Sequence, residues 1–205
     1  MKAYLLCSEC ERRFNDDGEG WMLRHGYRGR GRFRLRGTLR LATPLGQMHD
    51  GTAYSASTAG LDVAQIAYYA SSVFWRASVF SSFDRDHNFS LGKCYEADFR
   101  QYLLDHASFP TDAALVVQVA NVNSPLNVVW FPFSQNHAAG YHQHSFFAQG
   151  LLFWLFVGGN LIPKLDLLCI VRSKEHIIFL SDNVERAVQS GSIDLLVDAL
   201  RPRKR

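Results

Sequence analysis

The feature that most constrains this chain is its one close pair of cysteines, Cys7 and Cys10, which lies near the first residue. A Cys-x-x-Cys turn points two sulfurs the same way, so both thiolates can reach one tetrahedral metal ion. The apolar residues Tyr4-Leu5-Leu6 predict a short strand before the pair, and Glu11-Arg12-Arg13-Phe14 predicts the opening of a helix after it. Strand, turn and helix in this order are the geometry of a zinc knuckle, so we predict that Cys7 and Cys10 bind zinc.

Two cysteines make only half of a structural zinc site, because such a site is closed by four ligands. The other cysteines, Cys94 and Cys169, are isolated in the sequence. Redox-active thiols use the same spacing, but that interpretation calls for a preceding strand–helix–strand unit, which the few residues before Cys7 do not provide. Two thiols without any role are the third alternative.

The stretch Leu5-Leu6-Cys7-x-x-Cys10-Glu11-x-Arg13-Phe14 resembles the second knuckle of an uncharacterised group of bacterial proteins with an HNH-like, treble-clef zinc motif. The segments 73–77 and 179–182 are similar to stretches of the same group. Members of that group carry an earlier Cys-x-x-Cys and a Ser-His-x-x-Pro segment, which have no counterpart here because Met1 lies only six residues before Cys7. The resemblance implies a zinc-knuckle fold. It also implies metal-dependent endonuclease activity if the first knuckle and its histidine are supplied elsewhere.

Arginine then recurs at every second position, at Arg28, Arg30, Arg32, Arg34 and Arg36. An extended strand would place all five guanidinium groups on one face, about 6.6 Å apart. A nucleic-acid backbone has charges at a spacing of that order, so this pattern predicts contact with DNA or RNA. The alternative is a solvated strand edge or arm, which the intervening glycines Gly29 and Gly31 favour over a central strand.

The small net charge of +3 hides an uneven distribution along the chain. Residues 1–41 hold ten Lys/Arg against five Asp/Glu, residues 42–200 hold eight against fourteen, and residues 201–205 add four positive charges. Basic charge is therefore concentrated at the two ends, and the middle is mildly acidic.

The 205 residues are 47% apolar and 13% aromatic, enough for the core of one domain, or of one domain with a small appendage. Four unevenly spaced cysteines favour a reducing cytosol over a secreted disulfide scaffold. The first apolar run, residues 3–6, is too short for a signal peptide. The longest, residues 145–162, is interrupted by polar residues and glycines, and predicts core strands rather than a membrane helix. We therefore predict a cytoplasmic protein without a membrane partner.

The remaining pattern predicts an α+β fold with a zinc-knuckle-like N-terminal element, a helical pair, an antiparallel β-sheet and a C-terminal helix. Residues 15–20 have the composition of a turn, and the polar segment 42–58 suggests a boundary between an N-terminal element at 1–41 and a main domain at 42–205. Helices are expected at 60–82, capped by Thr58, at 95–106, and from Asp182-Asn183 onward. Strands are expected at 113–119, 127–133 and 146–157, with a hairpin of 165–172 and 176–180.

A weaker pattern is the histidine group His137, His142 and His144. Two histidines at i and i+2 share a face of a strand and could ligate one metal, but polar strand-edge histidines are the alternative.

Three functions follow from these patterns. The first is a non-catalytic nucleic-acid-binding or accessory protein with a half zinc knuckle. The alternatives are an HNH-type endonuclease whose first half is supplied elsewhere, and an interaction domain without a nucleic-acid role. Two chains could also meet at their N-termini and close one four-cysteine zinc site from two copies of Cys7 and Cys10, which predicts a homodimer.

Overall fold

The computed structural model describes residues 6–48, 51–80, 89–121, 129–136, 140–158, 163–182 and 184. Its helices are α1 Ser8–Phe14, α2 Gly20–His25, α3 Arg34–Leu41, α4 Val63–Val79, α5 Lys93–Leu103 and α6 Pro163–Leu168. Its strands are β1 Pro44–Met48, β2 Gly51–Ser55, β3 Ala113–Ala120, β4 Trp130–Asn136, β5 His142–Ala148, β6 Leu151–Val157 and β7 Ile177–Ser181. The fold is α+β, as predicted.

All seven strands form one sheet in the order β1-β2-β7-β3-β6-β5-β4. Every neighbouring pair is antiparallel except β3 and β7, which run parallel. The expected purely antiparallel sheet is therefore wrong in one pairing. Every residue of β3 and β6 is buried, because a central strand is covered on both faces by other parts of the fold.

The apolar run 146–157, expected as one strand, is part of a hairpin of two strands. β5 ends at Ala148, and β6 begins at Leu151. Between them Gln149 and Gly150 both have positive φ, at 51° and 82°, which is the backbone of the tight turn that joins twisted antiparallel strands. Within residues 146–157, both strands are buried on both faces. These residues therefore lack the alternation of apolar and polar residues that would have marked two strands in the sequence.

Three further expectations for the main body were wrong. The polar segment 42–58 contains the strands β1 and β2. Residues 165–172 are not a hairpin strand, because α6 ends at Leu168 and turns follow. The N-cap of α4 is Asp62, whose carboxylate accepts a hydrogen bond from the Gln65 amide at 3.0 Å, and not Thr58. The expected C-terminal helix lies outside the described residues, except for Asp182 and Val184 at its start.

The expected turn at 15–20 is helical instead. Residues 15–19 form one π-helical turn between α1 and α2, so the chain stays helical from Ser8 to His25. Gly18 lies against α4 so closely that a Cβ there would be 2.9 Å from the Cα and the amide nitrogen of Tyr69. The glycine that suggested a turn thus serves close helix packing.

The helix α4 lies on one face of the sheet and joins the N-terminal helices to it. Its Phe74 meets Phe146 edge-to-face, with ring centroids 4.8 Å apart, and its Tyr69 lies 5.7 Å from Phe153. On its other side Arg76 pairs with Glu19 at 2.6 Å and covers the ring of Phe14 at 5.0 Å. The division at residue 41 stays a prediction, but one hydrophobic core includes residues from both sides of it. None of the helices in the described part of the chain is long and apolar enough to cross a bilayer.

Candidate functional site

The cysteine pair lies at the start of α1. Cys7 is the N-cap residue, with extended backbone at φ −75° and ψ 160°, and its Sγ accepts a hydrogen bond from the Cys10 amide at 3.4 Å. The two Sγ atoms are 3.3 Å apart. The helix begins at Ser8, three residues before the expected opening, so Cys10 belongs to its first turn. The predicted strand at 4–6 falls almost entirely outside the described residues.

The two thiols have different environments. Cys7 is exposed, and the hydrogen bond that its sulfur accepts from the Cys10 amide, and next the hydrogen bond that it shares with the Cys10 thiol, lower its pKa. Cys10 is half-buried, and its hydrogen bond to Cys7, followed by burial, raises its pKa. When Cys7 is ionised, the Cys10 thiol donates to its sulfur, which stabilises the Cys7 thiolate and keeps Cys10 protonated. Cys7 is therefore the more readily ionised thiol of the pair.

The pair has the geometry for half of a tetrahedral zinc site. Zinc–sulfur bonds of about 2.3 Å place two thiolates about 3.8 Å apart, and the present separation of 3.3 Å is close to that. Small side-chain rotations would supply the difference. Across the described ranges, no group of three or more His, Cys, Asp or Glu side chains could hold a metal ion. Cys94 is exposed at the start of α5, and Cys169 is buried.

The alternating arginines do not form the strand that their spacing suggested. A bridge pairs Tyr27 with Phe33, and the Arg28 amide donates to the Arg32 carbonyl at 2.9 Å. Between them Gly29, Arg30 and Gly31 have φ values of 79°, 49° and 75°. Glycine reaches this left-handed region without strain, so the glycines turn the chain back on itself. The helix α3 then begins at Arg34.

Four of the five predicted arginines remain exposed in this arrangement, and we call them the arginine turn: Arg28, Arg30, Arg32 and Arg34. Within the part of the chain that the structure describes, none of their guanidinium groups has a hydrogen bond or an ion pair. They belong to a short turn and to the first residue of α3, so they do not form the single row that an extended strand would give.

The fifth arginine, Arg36, packs inside the fold and is not part of the exposed turn. It is buried, its guanidinium lies 5.5 Å from the centre of the Phe33 ring, and its Nη1 donates to the Asn121 carbonyl at 3.3 Å. Burial, and next the charge of Arg40, lower its pKa. Arg40, one helical turn later, donates from Nε and Nη2 to the Asn121 side chain at 2.9 and 2.7 Å. The sequence analysis did not single out Arg40. It lies four residues after Arg36, and on a helix that spacing places both arginines on one face, which is the signal that could have identified it.

The two described histidines of the predicted group, His142 and His144, lie in different environments. His144 is buried on β5, and its Nδ1 shares a hydrogen bond of 2.8 Å with the Ser134 hydroxyl of β4, while its Nε2 has no hydrogen-bond partner among the described residues. Burial, and then the nearby His142, lower the pKa of His144 to about 4. His142 is exposed on the same strand face, and His137 lies outside the described residues. We interpret His144 as a neutral core histidine.

Comparison with known proteins finds no matching family model, no matching curated protein and no matching solved structure. The resemblance to the HNH-like zinc-knuckle group stays a prediction.

Proposed function

We propose that this protein is a non-catalytic nucleic-acid-binding or accessory protein that contacts backbone phosphates through the arginine turn. One observation carries the proposal: four exposed guanidinium groups occur within seven residues, and none of them has a carboxylate partner in the described part of the chain.

Elementary electrostatics supports this assignment. Four like charges on a short turn repel one another, and the repulsion is relieved when anions lie between them. Arginine forms paired hydrogen bonds with phosphate oxygens, and each phosphate that it neutralises releases condensed counterions. Gly29 and Gly31 add no side-chain bulk, since a Cβ at either position would meet nothing within 4 Å. A phosphate backbone could therefore approach this turn closely.

Zinc enters the proposal through the cysteine pair. Because Cys7 and Cys10 supply two ligands of the four that a structural site needs, we propose that two copies of the chain close one site at their N-termini. The proposed dimer would therefore contain two arginine turns. The four free cysteines of each chain are the support for placing this protein in a reducing cytoplasm.

A charge-matched pair of variants tests the nucleic-acid proposal. The triple substitution Arg30→Ser, Arg32→Ser and Arg34→Ser removes three exposed positive charges from the turn. The control removes three exposed positive charges elsewhere, as Lys93→Gln, Arg100→Gln and Lys174→Gln.

Affinity for a short DNA duplex and for a single-stranded RNA is measured by fluorescence anisotropy at low salt. The turn variant should bind at least about tenfold more weakly than the parent, and the control should bind nearly as the parent does. Equal weakening in both variants would mean that net charge alone attracts the nucleic acid, and it would overturn the assignment to the turn.

A further inference from the structure

The cysteine pair has a chemical capacity that nucleic-acid binding does not use. The Sγ atoms of Cys7 and Cys10 are 3.3 Å apart, and a disulfide needs about 2.05 Å. Cys7 caps the helix α1 and Cys10 lies in its first turn, so rotation about their own side-chain bonds can cover the difference. No movement of another part of the fold is required.

The two sulfurs also differ in access. Cys7 is exposed and precedes the helix, whereas Cys10 is half-buried within its first turn. An incoming molecule therefore reaches the Cys7 sulfur first, and the Cys10 sulfur lies in contact with the Cys7 sulfur, where it can attack next. Cys94 is equally exposed but has no second thiol beside it among the described residues, and Cys169 is buried.

We propose that Cys7 and Cys10 form a reversible dithiol–disulfide couple that reduces disulfide-bonded substrates, with Cys7 as the attacking thiol and Cys10 as the resolving thiol. This inference is independent of the arginine turn, because it involves none of its arginines. It concerns the metal-free thiols and is an alternative to the shared zinc site, since the same two sulfurs cannot bind zinc and attack a disulfide at once.

The reaction balances as two exchange steps. The Cys7 thiolate attacks one sulfur of the substrate disulfide, a new bond forms between Cys7 and that sulfur, and the other half leaves as a thiolate. Cys10 then loses its proton to water and attacks the Cys7 sulfur. The Cys7–Cys10 disulfide forms, and the second half of the substrate leaves as a thiolate. The substrate gains two electrons, the protein loses two, and the departing thiolates take up the protons released by Cys7 and Cys10.

Oxidised glutathione is the probe, and the full-length reduced protein is incubated with it in the presence of a chelator, so that zinc does not occupy the thiols. Trypsin then separates the cysteines. Both members of the pair fall in the peptide 3–12, Cys94 in 94–100 and Cys169 in 165–172. Mass spectrometry should show the peptide 3–12 with two hydrogens fewer and no glutathione, while Cys94 carries a persistent glutathione adduct.

The variant Cys10→Ser separates the two steps. It should stop the reaction at the first exchange, so that the peptide 3–12 accumulates one glutathione on Cys7. The variant Cys7→Ser should lose most of the reaction at this peptide, since the remaining thiol is half-buried. Persistent glutathione on the parent's peptide 3–12, or two free thiols there when Cys94 is fully modified, would overturn the proposal. So would equal modification rates of the two single variants.

Discussion

The packing of the π-helical turn against α4 makes a sharp prediction about Gly18. The substitution Gly18→Ala adds one methyl group to a helical segment. In the interior of an exposed helix that change stabilises a protein by about 1 kcal/mol, because alanine has the better helix propensity. At this position the new Cβ would lie 2.9 Å from the Cα and from the amide nitrogen of Tyr69, and 3.0 Å from its Cβ.

Those neighbours are mainly backbone atoms of a buried helix, so they cannot rotate away. Overpacking of this kind costs about 1–3 kcal/mol, which outweighs the gain in propensity. We expect Gly18→Ala to lower the free energy of unfolding by up to about 2 kcal/mol, which is the overpacking cost less the propensity gain. For a chain of this length the Tm should fall by about 2–4 °C for each kcal/mol.

Gly37 provides the matched control. It is an exposed glycine in α3, and a Cβ there would meet nothing within 4 Å. Gly37→Ala should therefore raise the free energy of unfolding by about 0.5–1 kcal/mol. Urea denaturation followed by far-UV circular dichroism measures both variants. A Gly18→Ala protein as stable as the parent, or more stable, would refute the close packing of this turn on α4.

Three further predictions concern a histidine, an ion pair and the cysteine pair. Because burial lowers the pKa of His144 to about 4, its imidazole stays neutral in the folded protein while the unfolded chain takes up a proton near pH 6.5. The free energy of unfolding should thus fall by up to about 3 kcal/mol as the pH drops from about 6.5 to about 4. His144→Phe should flatten that dependence, and an unchanged pH profile in urea titrations would contradict this. Glu19→Gln removes the partner of the half-buried Arg76 and should lower the free energy of unfolding by about 1 kcal/mol. If the two residues act as a pair, Arg76→Gln should cost less in the Glu19→Gln protein than in the parent, and equal costs in urea titrations would contradict this. With zinc and a reductant, the parent should form dimers with one zinc per two chains, and the Cys7→Ser/Cys10→Ser variant should be monomeric; a monomeric parent in excess zinc ends the shared-site proposal.

Elements with a clear local signal could be predicted from the sequence. The helices α4 and α5 follow from the spacing of their apolar residues, and β3 follows from a largely apolar run in which Gln118 is the one polar residue. The parallel pairing of β3 with β7 joins segments about 60 residues apart in the chain, and no local pattern encodes such a contact.

The region of the arginine turn was predicted to be an extended strand, and its residues explain why it forms a turn instead. Alternating arginine and glycine has the period of a strand, but glycine accepts left-handed backbone equally well. Long-range packing selects the turn: Phe33 lies so close to Gly150 that a Cβ on that glycine would be 2.7 Å from the Phe33 ring. Residues about 120 positions apart thus determine which arginines are exposed. Of the five arginines that the sequence pattern named, four are exposed, and Arg36 is buried in the helix.

The salt dependence of nucleic-acid affinity tests the central claim most directly. The association constant of the parent and of the Arg30→Ser/Arg32→Ser/Arg34→Ser variant is measured over a series of salt concentrations. If the arginine turn meets phosphates, the slope of log K against log salt should be shallower in the variant by up to about 0.9 for each phosphate that is no longer neutralised. Equal affinities and equal slopes for the two proteins would contradict the account.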